Sequence, residues 1–123
     1  EFSPRFREDR EVLERCTELG IAFLPWSPLG GSDNAKTLGS QFGEFAVVAA
    51  EHAASVQEVT LAWLLSLSPI VIPIPGATKP VTIDSIVRSM RIELSDSQRD
   101  RLSATESVGE TIFPESEPRS PLR

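Results

Sequence analysis

Two short apolar runs, separated by stretches of helical periodicity, dominate the hydropathy pattern of the chain. Residues 21–26 (IAFLPW) and 70–74 (IVIPI) are unbroken and of strand length, and Pro and Gly residues follow both runs. The second run is rich in β-branched residues. Short apolar runs of this kind are typical of strands buried on both faces. We therefore predict two buried strands, with the residues that follow each strand at its carboxyl end.

Helical patterns fill most of the remaining chain. Apolar residues recur on one face of the first helix, and Gly20 stands where that helix should stop. Strands that alternate with helices indicate right-handed crossovers and parallel strands, so the predicted fold class is α/β. The predicted helices span residues 7–19, 44–52, 56–66 and 81–90, with a last short helix from Ser95.

Two serines mark helix starts. Ser55 and Glu58 have the spacing of a capping box, and Ser95 and Gln98 repeat it. In this motif each side chain satisfies a free backbone N–H of the first turn. Residues 32–41 are polar and contain glycine, and we predict a loop there.

Composition limits the classes of partner. A net charge of −6 and a pI near 4.8 argue against nucleic acid and anionic membranes. The apolar runs fall well short of the roughly 20 residues that a membrane-spanning helix needs. Cys16 is the one cysteine, which suits a reducing cytoplasm. His52 has no second His or Cys at ligand spacing, so no metal site is predicted.

The predicted sheet is too small to be stable alone. Two strands need neighbours, the chain begins with Glu1, and its only methionine is Met90. We therefore expect a piece of a longer polypeptide, with residues 1–105 as its folded part. Residues 106–123 are rich in Ser, Glu, Pro and Arg, and should form a loosely held tail. Ile112 and Phe113 are the predicted apolar anchor of that tail.

The residues after the second run suit a phosphate. Gly76 and Ala77 allow close approach of a ligand to the backbone, Thr78 offers a hydroxyl, and Lys79 a cation. Ligands in α/β folds bind at the carboxyl ends of strands. Taken alone, however, Lys79 could be a solvated loop cation, and Trp26 could simply fill the core.

Three segments together carry a family resemblance. Residues 26–31 (WSPLGG), 59–65 (VTLAWLL) and 72–79 (IPIPGATK) occur in an order and spacing that resemble the C-terminal portion of an aldo-keto reductase. The resemblance implies the C-terminal portion of a (β/α)₈ TIM-type barrel with its site at the carboxyl ends of the strands. It also implies an oxidoreductase that uses NADP(H) to reduce a small aldehyde or ketone by hydride transfer.

The resemblance also implies residue roles in cofactor binding. Trp26 falls where the family has an aromatic ring, often tyrosine, stacked on the nicotinamide. The residues that would line the pyrophosphate are Ser27, Pro28 and Leu29. The residues that would hold the adenosine end are Ile74, Gly76, Ala77, Thr78 and Lys79. Among these, Thr78 and Lys79 would meet the 2′-phosphate.

The chain departs from the family pattern at several positions. Thr82, Ser85 and Ile86 stand where the family often has an arginine and then a Glu-Asn pair that meets the adenine. Ala53 replaces a glycine common before the Ser-capped helix, and this removes an easy left-handed stop. The family's catalytic Asp, Tyr, Lys and His come from the other half of the barrel, and no residue here matches their motifs. No catalytic residue is therefore assigned to this chain.

Two other functions stay open. The chain could be a non-catalytic module that binds a nucleotide or pairs with another half-barrel through exposed strand edges. A flavodoxin-like domain is a weaker alternative, because a Gly-rich first turn is missing.

Overall fold

The computed structural model describes residues 1–109 and 111–112. Helices form most of the regular structure of these residues, and they follow the predicted order closely. The helices are α1 (Arg10–Leu19), α2 (Ser32–Ala35), α3 (Leu38–Gln41), α4 (Gly43–Glu51), α5 (Val56–Leu67), α6 (Pro80–Ser89) and α7 (Asp96–Ser103).

Local signals set the helix ends. Gly20 has a φ of 67° and ends α1, and its N–H is directed at the carbonyl of Cys16 and of Thr17. Both predicted capping boxes are confirmed: Ser55 and Ser95 each accept a backbone N–H at the third helical position and receive the reciprocal bond. The helices after these serines therefore begin as the sequence predicts.

The loop predicted for residues 32–41 is wrong, since α2 and α3 lie there. The Asn34 side chain donates to the carbonyl of Gly30 at 2.8 Å and steadies the first turn. Leu38 is 1% exposed, and α3 packs against α4. Burial of one leucine side chain contributes about 1.5–3 kcal/mol, enough to outweigh the weak helix propensity of the neighbouring residues.

The two predicted strands are much shorter in the structure. Only isolated parallel bridges form among the described residues, between Phe23 and Val71 and between Trp26 and Ile74. The parallel direction was predicted, but the continuous ladder was not found. Pro25 lies inside the first run and has no N–H to donate, so it interrupts the ladder.

Burial on both faces of these segments is also not observed. Val71 is 5% exposed, whereas Ile72 is 53% and Leu24 50% exposed. One face packs on the helices, and the opposite face has no layer of this chain to cover it. The structure therefore shows the α/β order and the parallel pairing, but by itself no barrel.

The core is organised around Trp63 of α5. The rings of Phe2 and Trp63 are stacked with centroids 6.3 Å apart, and Phe45 meets Trp63 edge-on at 5.5 Å. All three side chains are fully buried. Because α4 packs on α3, α5 and α7, this aromatic cluster joins the N-terminal segment to the helical layer.

The N-terminal segment also contacts the start of the predicted tail. Val108 and Gly109 donate their N–H groups to the carbonyl of Arg5, both at 2.9 Å. The Thr111 hydroxyl donates to the Glu1 carboxylate at 2.6 Å. Phe113 lies outside the described residues, as do residues 114–123, so a loosely held tail stays a prediction.

Among the described residues, no helix has both the length and the apolar character to cross a bilayer. The same residues contain no cluster of three or more His, Cys, Asp or Glu side chains that could hold a metal ion. Cys16 is a free, partly buried thiol on α1.

Candidate functional site

A groove opens where the two bridged segments end side by side. The last bridge joins Trp26 and Ile74, and the N–H of Ile74 donates to the carbonyl of Pro25 at 3.2 Å. The groove has a volume of about 470 Å³. Among the residues that line it are seven of the nine predicted cofactor-binding residues, Ser27, Pro28, Leu29, Ile74, Gly76, Ala77 and Thr78.

The two other predicted residues lie beside this groove and do not line it. Trp26 is half-buried at the bridge itself. Lys79 is the N-cap residue of α6 and lines an adjoining groove of about 820 Å³, which also includes Gly76 and Thr78. The two grooves therefore form one continuous surface along the carboxyl ends of the bridged segments.

A strained turn shapes one wall of the first groove. Ser27 has a φ of 49°, which is uncommon for a residue with a side chain. The N–H of Gly30 donates to the carbonyl of Ser27 at 2.8 Å and closes the turn. A Cβ at Gly30 would lie 2.8 Å from Cδ of Arg5, so glycine is required there. Strain of this kind is often found at ligand sites.

The opposite wall is open and leads into α6. A Cβ at Gly76 would meet no atom of the described residues within 4 Å, so their packing does not demand this glycine. Lys79 is extended (φ −130°, ψ 143°) and Pro80 occupies the first helical position. The N-terminus of α6, with its positive helix dipole, therefore follows directly after Thr78.

Cations gather in the second groove although the chain as a whole is acidic. Lys36 and Lys79 are the only two lysines of the sequence, and both line this groove together with Arg88. Lys36 was missed from the sequence because it lies in the segment predicted as a loop. The signal that could have found it is its place ten residues after Trp26, on the segment that leaves the first bridged strand.

Glu58 is the one acid that lines the same groove within the described residues. Its side chain is 7% exposed and accepts the Ser85 hydroxyl at 2.9 Å, the Arg88 Nε at 2.8 Å and the Ser55 N–H at 2.9 Å. Burial raises the pKa of the carboxyl, but these hydrogen bonds outweigh it, so the pKa lies below its usual 4.5. Glu58 is therefore a carboxylate at neutral pH.

The positions that depart from the family pattern have clear surroundings. The hydroxyl of Ser85 donates a hydrogen bond to the carboxylate of Glu58. Ile86 is half-buried and packs against the hydrophobic core. Thr82 lines both grooves. Ile86 therefore offers a base no hydrogen bond, and the Ser85 hydroxyl, whose proton is donated to Glu58, can only accept one.

Comparison with known proteins agrees with this architecture. The profile of the aldo/keto reductase family matches residues 1–106. An uncharacterized oxidoreductase of Schizosaccharomyces pombe is 36% identical over 89 residues, which are 72% of this chain and 28% of the relative. Pyridoxine 4-dehydrogenase of Escherichia coli is 30% identical over 96 residues, which are 78% of this chain and 32% of the enzyme.

A solved structure has a similar backbone course. A thermostable aldo-keto reductase in complex with the inhibitor epalrestat aligns with a TM-score of 0.74 at 24% identity, over 85% of this chain and 37% of its own. The likeness supports the fold, and this chain spans about a third of the length of such proteins. With the family profile matching nearly every described residue, the chain belongs to the aldo/keto reductase family.

Proposed function

We propose that this chain is the cofactor-binding, C-terminal part of an NADP(H)-dependent oxidoreductase that reduces aldehydes or ketones by hydride transfer. The acid that protonates the carbonyl oxygen would come from residues outside this chain. When bound, the nicotinamide cofactor supplies the hydride.

One observation carries this proposal. The turn after the first bridged segment and the loop after the second line a single groove, although 45 or more residues separate them in the sequence. Seven residues expected to bind the cofactor thus meet in space. The strained Ser27 and the open Gly76 both lie at this groove, which is consistent with a ligand held between the two segments.

The residues present fit a dinucleotide phosphate. The backbone around Ser27 and Leu29 would approach the pyrophosphate in the groove of about 470 Å³. Lys36 and Lys79 would bring positive charge to the adenosine end, and the Thr78 hydroxyl would donate to a phosphate oxygen. Trp26 at the end of the bridge would offer its ring to the nicotinamide.

The exposed apolar face suits the C-terminal portion of a (β/α)₈ barrel. Ile72, Leu24, Ile21 and Ile74 are each about half-exposed on the two bridged segments. Further strands would cover these side chains and complete the hydrogen bonding of both edges. We infer that the remaining strands, with the catalytic residues and most of the substrate loops, belong to a longer polypeptide.

Calorimetric titration of the chain with NADPH and NADH tests this function. We expect tighter binding of NADPH, and Lys79→Ala should weaken NADPH by about tenfold while changing NADH less than twofold, because a charge-assisted bond contributes about 1.5–3 kcal/mol. Equal weakening of both cofactors would contradict the role of Lys79. Absence of binding to either nucleotide by a chain that shows cooperative thermal unfolding would contradict the cofactor role of the chain.

The second candidate is a non-catalytic nucleotide-binding or half-barrel association module. The exposed Ile72 and Met90 (53% and 70%) flank an apolar groove between α5 and α6, which favours association. Analytical ultracentrifugation and the intact mass of the natural product would separate the two. A natural mass near 13.5 kDa with self-association would favour the module, and a much larger mass would favour the reductase.

A further inference from the structure

We propose that Arg88 is a further phosphate-binding residue, held in place by the buried Glu58, and that it determines preference for a 2′-phosphorylated cofactor. This inference rests on the proposed function, because it assigns a partner to the phosphate of the same cofactor. It goes beyond the resemblance, which gives Arg88 no role.

The geometry of the guanidinium carries the proposal. Arg88 contacts Glu58 Oε1 through Nε at 2.8 Å. Both Nη atoms have no hydrogen-bond partner within residues 1–109 and 111–112, and the side chain is 57% exposed. Arginine presents five N–H groups in a rigid fork, so a single bond through Nε leaves the outer edge for a second acceptor.

Arg88 borders a ligand-sized space. Arg88 lines the same groove of about 820 Å³ as Lys79 and Thr78. Thr82, Ser85 and Arg88 recur at a spacing of three along α6 and all line this groove, so Arg88 lies on the α6 face that borders it. A phosphate bound in this groove would find a point charge at Lys79 and a fork of N–H groups at Arg88.

The buried Glu58 carboxylate restrains the side chain of Arg88. An exposed arginine loses side-chain entropy when a ligand immobilises it, and restraint before binding lowers that cost. Glu58 is itself fixed by the Ser55 N–H and the Ser85 hydroxyl, so it restrains Arg88 before any ligand arrives. Thr82 stands where the family often has an arginine. Because Thr82 is uncharged, the cations that line this groove come from other positions.

Titration of the 123-residue chain with NADPH and NADH tests the assignment. Arg88→Gln should weaken NADPH about tenfold, as expected for loss of a charge-assisted bond, and change NADH less than twofold. Arg88→Lys should recover only part of the loss, because one ammonium cannot replace a fork that bonds Glu58 and phosphate together. Arg91→Gln, which removes an exposed cation outside the groove, should leave both affinities unchanged.

Two results would overturn the inference while the proposed function stands. One is an unchanged NADPH-to-NADH ratio in Arg88→Gln although Lys79→Ala abolishes the preference. The other is equal weakening of both cofactors together with a lower melting temperature, which would give Arg88 a purely structural role. An unmodified chain that binds neither cofactor would overturn the inference and the proposed function together.

Discussion

The Arg7 guanidinium lies over the Trp63 ring, 4.7 Å from the ring centroid. Its nitrogen atoms donate to the Pro4 carbonyl at 3.3 Å, the Ser103 carbonyl at 3.0 Å and the Thr105 hydroxyl at 2.7 Å. Burial, reinforced by the charge of Arg10, lowers the pKa of Arg7 to about 10, so the side chain stays charged at neutral pH. One arginine thus fastens the N-terminal segment to the end of α7.

Removal of this arginine should weaken the fold. Arg7→Ala leaves the buried Pro4 carbonyl and two partly buried acceptors without this donor and removes a cation from the Trp63 face. We expect a loss of about 2–3 kcal/mol in the free energy of unfolding. Urea denaturation, with the midpoint compared at constant slope, measures the loss. Arg10→Ala, at an exposed neighbour, should change stability by no more than about 0.5 kcal/mol. Equal effects of the two variants would contradict the role of Arg7.

Acid should destabilise the chain partly through Glu58. The pKa of this carboxyl is below 4.5 in the folded chain, so its contribution to stability is complete above pH 4.5 and is lost as the pH falls through the lower folded value. Glu58→Gln should be less stable than the unmodified chain at pH 7, and the gap should shrink towards pH 3. Glu14→Gln, an exposed change on α1, serves as the control. A gap that stays constant with pH would show that Glu58 does not titrate in this way.

A substitution between α4 and α5 should increase the stability of the chain. Ala53 has a φ of 51°, a conformation that costs an L-residue roughly 1–2 kcal/mol and glycine almost nothing. Ala53→Gly should therefore raise the free energy of unfolding by about 0.5–1 kcal/mol after the larger entropy of unfolded glycine is subtracted. Ala50→Gly, inside α4, should lower it by about 1 kcal/mol. Opposite signs in thermal denaturation would support the assignment, and equal signs would contradict it.

Two glycines beside the groove should respond differently to alanine. The Cβ of Gly76→Ala would meet no atom of residues 1–109 and 111–112 within 4 Å, so stability should be unchanged or slightly higher. NADPH binding should weaken if the cofactor approaches the backbone at this position. Gly30→Ala should destabilise the chain, because a Cβ would lie 2.8 Å from Arg5 Cδ at a φ of 76°. Thermal denaturation and NADPH titration of both variants test this. Gly76→Ala with full NADPH affinity would remove that residue from the proposed site.

Helix positions and the candidate site were predictable to different degrees. The capping pairs Ser55–Glu58 and Ser95–Gln98 are local signals, and the helices begin where these pairs predict. The segment at residues 32–41 was wrongly predicted as a loop, because burial of Leu38 depends on partners distant in sequence. From the sequence alone, Arg88 could add to a phosphate site but a surface charge is favoured, whereas Lys36 is not singled out. Only the structure places both residues at the second groove.

By itself, the sequence determined the helix starts, the parallel order of the two apolar segments and the identity of the residues after each. These depend on side-chain capping, backbone conformation and short-range periodicity, which act over a few residues. Only the tertiary structure decided how long the β-pairing is, that the lysines Lys36 and Lys79 share a groove, and that Glu58 holds Arg88 beside them. Those outcomes depend on packing and electrostatics between segments 20 to 50 residues apart, which no local pattern contains.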